Sequence, residues 1–550
     1  MNWNLPLFAV TARVFIALAT QTFFQPDEYY QSLEVAHHLA FGYGHVTWEW
    51  RTAMPIRSIV YPLLNVPVYA GLKVFGLDET RLLTLGPKVL HGLLASLTDI
   101  YICKLTARVA GQRYVNLAFW LSMTSLFHGM ALSRSLSNSL ETSLTTVALS
   151  LYPWDVQFPS WRYVASTHAL RTLLAAAFAC AIRPTNAIIW VYMLATTLWQ
   201  LRRNPHHVSS FITCTLFVGL AAILGLCAVD TWYYGTLTLT PLNFVTTNLS
   251  AVSLFYGSSA WHFYITQGLP ILCGTTLPFT IQGLYRNLRP QSRPTVKRMT
   301  GLIIWTMLVY SLAGHKEWRF LHPLLPLFHI LAAIALMDFQ NIFRRDHPSQ
   351  STTTQFFPRI RPAYWLVFLL NLPPLLYLIL AHSRAQVAVM HFLRSTDPAE
   401  TRSIGFLMPC HSTPWQAYLH RPSLAEPGRL WALGCEPPLI HRVNPDGYKD
   451  QTDIFYESPV QYLRDRFPAS VDLTYPPSPK PFTEPGQMSV ERFDWKHEWP
   501  QYIVLFGSLL QDREVFSLIH GRGYREVWHE ERGWEGDRRR QGGVTVLTIT

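Results

Sequence analysis

Charged side chains are scarce in this chain: Asp, Glu, Lys and Arg make up only 14% of its 550 residues, against roughly a quarter in soluble domains. That deficit excludes an ordinary soluble protein. Asp-x-Asp does not occur, nor Cys-x-x-Cys, nor a histidine-rich spacing, so the usual sequence marks of a bound metal are missing. No internal repeat is visible, which excludes solenoids and repeat arrays. The net charge of +11 comes without a basic stripe interleaved with aromatics, so no nucleic-acid partner is expected. Cysteine is sparse, with seven in all. Five (Cys103, Cys180, Cys214, Cys227, Cys273) lie in or beside apolar runs, where a thiol is a small packing group. Cys410 and Cys435 fall in the polar tail, as a disulfide if the tail faces an oxidising compartment or as two free thiols.

Apolar sequence is what the chain has in abundance, 49% hydrophobic and 14% aromatic. The middle is apolar, while the last third carries most of the acids and many of the bases. This is the profile of a multi-spanning membrane protein with a soluble domain attached. Runs approaching the ~20 residues of a membrane helix lie at 5–21, 86–104, 114–131, 138–152, 165–182, 184–201, 209–229, 266–284, 299–314, 319–338 and 362–381. We therefore expect a polytopic α-helical membrane protein with about 11 transmembrane helices in residues 1–381. A lumenal α+β domain at 382–550 should follow, with strands such as Tyr502–Phe506 and Val544–Ile549 and a Pro-rich loop at Tyr475–Pro485. The mixed-charge segment Arg525–Arg540 reads as a solvated surface.

Bases set the orientation. They gather at 104–113, at Arg202-Arg203, at 286–298 and at 344–361 (Arg344, Arg345, Arg359, Arg361), and these loops are expected on the cytoplasmic side. Residues 58–77 are apolar enough to be counted as a span, but that count would place the basic clusters outside. The segment also carries Pro62, Pro67 and Lys73. It is expected as helices lying along the interface, within a long first lumenal loop at 22–85. Leu5–Gln21 could instead be a signal peptide; Arg13 in its core and the lack of a small-residue cleavage site favour an uncleaved helix. Asn248-Leu249-Ser250 is a glycosylation sequon in the loop 230–265 that this scheme makes lumenal.

Chemistry is expected first at Thr22–Gln31, Thr-Phe-Phe-Gln-Pro-Asp-Glu-Tyr-Tyr-Gln, directly after the first span. An acidic pair, Asp27-Glu28, at a membrane surface calls for a gain from having carboxylates there. The plainer reading is that the two cap a short helix after Pro26. Three lumenal turns carry cations beside spans: Ser133–Glu141 with Arg134, Arg183–Asn186, and His315-Lys316-Glu317-Trp318-Arg319-Phe320. For Arg183 alone, snorkelling to lipid phosphate suffices. Four ionisable residues within five positions at 315–319 point instead to function.

Carboxylates on one loop and cations on others, all at one membrane face, are the set that glycosyl transfer from a lipid-linked phosphosugar needs. A carboxylate takes the acceptor hydroxyl proton, a service worth about 10²–10⁴-fold. Arg or Lys stabilises the leaving phosphate. Without Asp-x-Asp, no metal is expected to assist.

Phe24-Gln25-Pro26-Asp27-Glu28-Tyr29-Tyr30-Gln31 together with His315–Phe320 resembles the dolichyl-phosphate-mannose-dependent mannosyltransferases of glycosyltransferase family 22, of GT-C architecture. Tyr234-Gly235, Thr240-Pro241-Leu242-Asn243-Phe244, Phe255-Tyr256-Gly257, Met408-Pro409-Cys410-His411-Ser412-Thr413-Pro414 and Cys435-Glu436-Pro437-Pro438 add to the likeness. It runs from residue 21 to about 460. Ala260 stands where the family pattern leads one to expect proline, and beyond Tyr456–Pro459 little matches.

The resemblance implies an endoplasmic-reticulum enzyme adding the third, α1,2-linked mannose to a GPI-anchor precursor. Dolichyl-phosphate mannose would be the donor, with inversion and without a cofactor. By the same resemblance Asp27 and Glu28 are the catalytic pair, with Asp27 ranked first as the base and Glu28 as its partner; the sequence does not separate the two. His315, Lys316 and Arg319 would bind the donor phosphate, with Arg134 and Arg183 as further candidates. His262, Tyr264 and Gln267 would line the acceptor side. A sister enzyme, serving N-glycan precursor assembly or a fourth GPI mannose, shares this chemistry. A lipid or ion transporter would place its charges in mid-span and show inverted repeats, neither of which the sequence offers.

Overall fold

The computed structural model describes residues 4–154, 167–250, 252–255, 257–342, 357–358, 360–438, 448–479 and 496–549. The start of the expected span 165–182, Tyr256, the basic residues Arg344, Arg345 and Arg359, and residues 480–485 of the Pro-rich loop lie outside them.

Among the described residues, four helices are long and apolar enough to cross a membrane: Leu82–Val109, Pro205–Tyr234, Trp318–Gln340 and Pro362–Ser395. Asn4–Ala19 and Ala169–Ile182 are shorter apolar helices. The long helices differ in what surrounds them. The apolar window of Trp318–Gln340 is 83% buried, whereas that of Pro205–Tyr234 is only 11% buried. The first is the core of a helical bundle; the second must turn most of its surface to lipid, because a Leu-, Ile- and Phe-rich face cannot stand in water.

Other expected spans are interrupted where the sequence supplies a break. Gly274, in the left-handed region at φ 49°, separates Leu269–Cys273 from Leu277–Asn287. The long stretch Pro362–Ser395 is itself not continuous: its first part divides at Asn371 into Leu366–Leu369 and Leu372–Leu380. Residues 58–77 form two short helices, Val60–Leu63 and Val66–Val74, each carrying one of the prolines.

Within the bundle, Asn4–Ala19 lies against Leu82–Val109. Gly92 makes the close approach possible, since a Cβ there would meet Val14 Cα at 2.7 Å. The two helices are joined by a fully buried ion pair, Arg13 Nε to Asp99 Oδ2 at 2.6 Å. Arg13 also donates to the carbonyls of His128 and Ser122, and the Ser122 hydroxyl donates to Asp99. Charges at this depth persist only with such complete partnering.

The two ends of the bundle differ in character. At one end the basic loops meet: Arg293 donates to Ala110 O, Thr295 to Val109 O, and Arg286 pairs with Asp338 at 3.4 Å. At the other, the first loop folds back: Gln21 N donates to Ile379 O, Phe23 N to Ser383 O, and Ser58 and Ile59 donate to Asp230.

The C-terminal region sits on this second end and is built on a five-stranded sheet. Its strands are β1 Ile404–Leu407, β2 Leu430–Ala432, β3 Tyr502–Phe506, β4 Tyr524–Glu530 and β5 Val544–Ile549, in the order β2-β1-β3-β5-β4. The first three pair in parallel and the last three antiparallel. β1, β3 and β5 are covered on both faces and read as continuous apolar runs. β4 runs into Arg525–Arg540, the segment read as a solvated surface, and most of that segment is exposed. Its first residues are an edge strand, largely exposed, anchored by Tyr524 in the core and by Trp528 stacked on Phe392. Phe23, Tyr29, Tyr30 and Leu33 from the first loop join one hydrophobic cluster with β1, β3 and β5. Loop and sheet thus share a core.

Candidate active site

Pro26 opens a helical turn, and the π turn Tyr29–Leu33 runs directly into the helix Glu34–Phe41. Asp27 and Glu28 are consecutive on that turn, so their side chains leave it roughly 100° apart. They meet different partners. Glu28 points inward to Arg134, at 3.0 Å, with both side chains nearly enclosed. Burial raises the Glu28 pKa, and Arg134 opposes the rise. Arg134 is otherwise committed to Thr22 and to Met130 O. The pair ties the first loop to the bundle.

Asp27 points the other way, to Arg319. Its Oδ2 lies 2.5 Å from Arg319 Nη1. Arg319 also grips Glu317 with two parallel bonds, Nε to Oε2 at 2.6 Å and Nη2 to Oε1 at 2.8 Å. His315 Nε2 lies 3.4 Å from the same Glu317. Burial works against the Glu317 charge, but Arg319 and His315 prevail and hold its carboxyl well below the usual range. The hydrogen bond to Glu317 pushes the His315 imidazole up. Phe24 and Trp318, one from each motif, pack at 5.7 Å between ring centroids. Lys316 is buried and donates to Ser259 O at 2.7 Å, and His315 Nδ1 bonds Gly257 O, so this turn also holds the segment after Asp230.

Beside this cluster opens a cleft lined among others by Gln31, Arg57, Ser137, Arg183, Thr240 and Phe244. Arg183 lies 3.2 Å from Glu141, bonds Ser137 Oγ and lies over the Phe320 ring. Arg57 pairs with Glu49 at 2.7 Å and feels the charges of both Asp27 and Arg319. The sequence reading passes over Arg57 and Glu49. A signal was available: Arg57 is a base on a loop assigned to the face where bases are disfavoured, as were the cations that the reading did select.

His262, Tyr264 and Gln267 do not share a face. Tyr264 is buried in the bundle core, while His262 bonds Thr266 and, like Gln267, is exposed. Asn248 is exposed on the helix Thr240–Leu249. Cys410 and Cys435 are joined in a disulfide. The first loop is fastened to the C-terminal region by Glu34, whose buried carboxylate accepts from the backbone N–H groups of His45, Gln416 and Ala417 at 2.8–3.1 Å.

The model of the Alg9-like mannosyltransferase family matches residues 5–420. The chain belongs to that family. Among its relatives, GPI mannosyltransferase 3 of Yarrowia lipolytica is 36% identical, with 98% of this chain and 95% of the relative aligned. GPI alpha-1,2-mannosyltransferase 3 of Mus musculus is 33% identical, over 86% of this chain and 80% of the relative. This member of the Alg9-like family also shares the fold of ArnT from Cupriavidus metallidurans bound to undecaprenyl phosphate, with a TM-score of 0.55. That likeness covers 99% of this chain and 97% of ArnT at 12% identity. The fold is thus the one ArnT has, and the family to which the chain belongs is one of mannosyltransferases.

Proposed function

We propose that the enzyme transfers the third, α1,2-linked mannose from dolichyl-phosphate mannose to a GPI-anchor precursor at the lumenal face of the endoplasmic reticulum, with inversion and without a metal. The observation that carries the chemistry is the Asp27–Arg319–Glu317 bridge beside an arginine-lined cleft. The acceptor class is supported by what the relatives are called. The lumenal orientation is supported by the basic loops meeting at the end opposite the bridge.

In the free enzyme Arg319 neutralises Asp27. When the donor enters, its phosphate competes for the guanidinium, a strong and geometrically matched partner, and Asp27 is released to act as a base. The acceptor hydroxyl gives its proton to the Asp27 carboxylate while its oxygen bonds the anomeric carbon. The bond from that carbon to the phosphate oxygen breaks, and the oxygen keeps the electron pair. Dolichyl phosphate leaves with an added negative charge, which Arg319, Arg57 and Arg183 surround. Such pre-positioned charge is worth most in a water-poor site. Glu317 orients Arg319, and Lys316 and His315 hold the turn that carries it.

The deciding experiment is removal of the gene followed by mass spectrometry of the accumulated lipids. A GPI precursor carrying two mannoses is expected. A precursor carrying three, or unchanged GPI lipids with a shortened dolichol-linked oligosaccharide, would overturn the acceptor assignment in favour of a sister enzyme.

A further inference from the structure

The motif Met408–Pro414 has no part in the transfer described above, yet it stands against the helical turn that bears Asp27. The His411 ring packs on Tyr30 at 4.3 Å between centroids, and the Tyr30 hydroxyl donates to Thr413 O. Tyr30 follows Asp27 by three positions, which puts both on one face of the turn. The Asp27 charge is felt at the His411 ring. His411 itself has φ 53°, a left-handed conformation uncommon for any residue with a side chain, and it adjoins the Cys410–Cys435 disulfide.

The ring's protonation pattern follows from its neighbours. His411 Nδ1 lies 3.7 Å from Cys435 Sγ. A disulfide sulfur has no proton to give, so Nδ1 is the donor and Nε2 is left with its lone pair. Burial brings the imidazole down to about 4, although Asp27 resists, so the ring is neutral at physiological pH.

We propose that His411 is a substrate-positioning residue whose Nε2 accepts a hydrogen bond from a hydroxyl of the acceptor sugar over Asp27, and that the disulfide selects the tautomer that allows it. A neutral acceptor suits this place. A second carboxylate would compete with Asp27 for Arg319, and a cation would lower the basicity of Asp27. The inference rests on the reading of Asp27 as the base, and it assigns to the C-terminal region a direct part in choosing the acceptor.

The test uses the full-length membrane enzyme with separate titrations of acceptor glycolipid and dolichyl-phosphate mannose. His411→Phe keeps a ring against Tyr30 and removes the acceptor nitrogen. It should raise the acceptor KM about 10-fold, the size of one lost hydrogen bond, leaving the donor KM and thermal stability unchanged. His411→Gln, which offers an amide oxygen, should recover part of the loss. The double variant Cys410→Ser/Cys435→Ser should raise the acceptor KM similarly and add little to His411→Phe. Unchanged acceptor KM in His411→Phe, equal losses for donor and acceptor, or fully additive effects would overturn the proposal in favour of a structural staple. Asp27→Asn separates the two readings. If it is inactive while His411→Phe is normal, only this inference fails; if it turns over normally, the base assignment fails as well.

Discussion

Arg319 holds Asp27, 292 positions earlier in the chain, with one edge of its guanidinium while its other nitrogens grip Glu317. The bridge closes the site between the first loop and the turn before the helix Leu325–Ile342. The charged residues at its centre are therefore already positioned before substrate arrives, and on the proposed mechanism the donor exchanges one of Arg319's anions.

Asp27→Asn preserves the size of the side chain and its contact with Arg319 but cannot accept a proton at physiological pH. Mannose transfer should fall by at least about 10²-fold, the lower end of general-base contributions. Accumulation of the protein in the membrane should be unchanged. Radiolabelled transfer assays in microsomes, normalised by immunoblot, read both quantities, and near-normal turnover would remove Asp27 from the mechanism.

Arg319→Lys keeps the charge and loses the planar fork that spans Asp27 and Glu317. An ammonium cannot make the same paired bonds, so donor use should fall about 10-fold or more, seen as a raised KM for dolichyl-phosphate mannose with acceptor KM little affected. Equal donor dependence in variant and wild type would show that the phosphate is held elsewhere, with Arg57 and Arg183 the next cations to change.

The His315–Glu317 contact makes stability depend on pH in a definite direction. Glu317 raises the His315 pKa above its ordinary value near 6.5, so the contribution is complete below that value and is lost as pH rises through the folded-state pKa. Glu317, held low by Arg319 and His315 against the effect of burial, keeps its charge well into acid. Thermal unfolding in detergent should therefore show His315→Asn less stable than wild type by up to about 1 kcal/mol near pH 6. The gap should shrink toward pH 9. A gap that widens with pH would contradict the assigned pairing.

Arg13→Met leaves Asp99 without its counter-charge in the interior of the bundle, with the Ser122 hydroxyl still donating to it. Breaking a buried pair from one side costs about 3–5 kcal/mol, enough to reduce expression sharply. The double change Arg13→Met/Asp99→Leu should be better tolerated than either single change. Fluorescence-detection chromatography of the three variants reads the ranking, and a double variant worse than both singles would mean that the network specifies the fold.

Chelation is a simple check on the proposed metal-free chemistry. Transfer in microsomes should continue undiminished in EDTA, and a strict requirement for added Mn²⁺ would assign the work of Arg319 to an ion.

The carboxylates at 27–28 and the cluster at 315–319 are legible in the sequence because charge at the ends of apolar runs stands out against 14% charged residues overall. Their separation of roles is not. Which of two adjacent acids meets Arg319 and which meets Arg134 depends on the phase of one helical turn and on where those arginines reach, and those positions are fixed by packing far along the chain. Arg57 and Glu49 are hidden for another reason: two isolated charges in a long polar-aromatic loop look ordinary until the loop is folded over Asp27. Strands β3 and β5 announce themselves as apolar β-branched runs. β1 and β2, with four and three residues, are too short to stand out. The long helices Leu82–Val109 and Pro205–Tyr234 follow apolar runs closely. The runs at 266–284 and 362–381 do not, because hydropathy does not register a left-handed glycine or an asparagine break.

The three backbone donors on Glu34 have a consequence for alleles of this gene. Two of them, Gln416 and Ala417, lie more than 380 positions downstream. A nonsense codon placed after the last membrane segment but before them would not yield a merely shortened enzyme. It would take away two of the three N–H donors on Glu34 and strip the aromatic floor from beneath Tyr29 and Tyr30. Such truncations should behave as nulls, and a missense change at Glu34 should resemble them more closely than it resembles its neighbours.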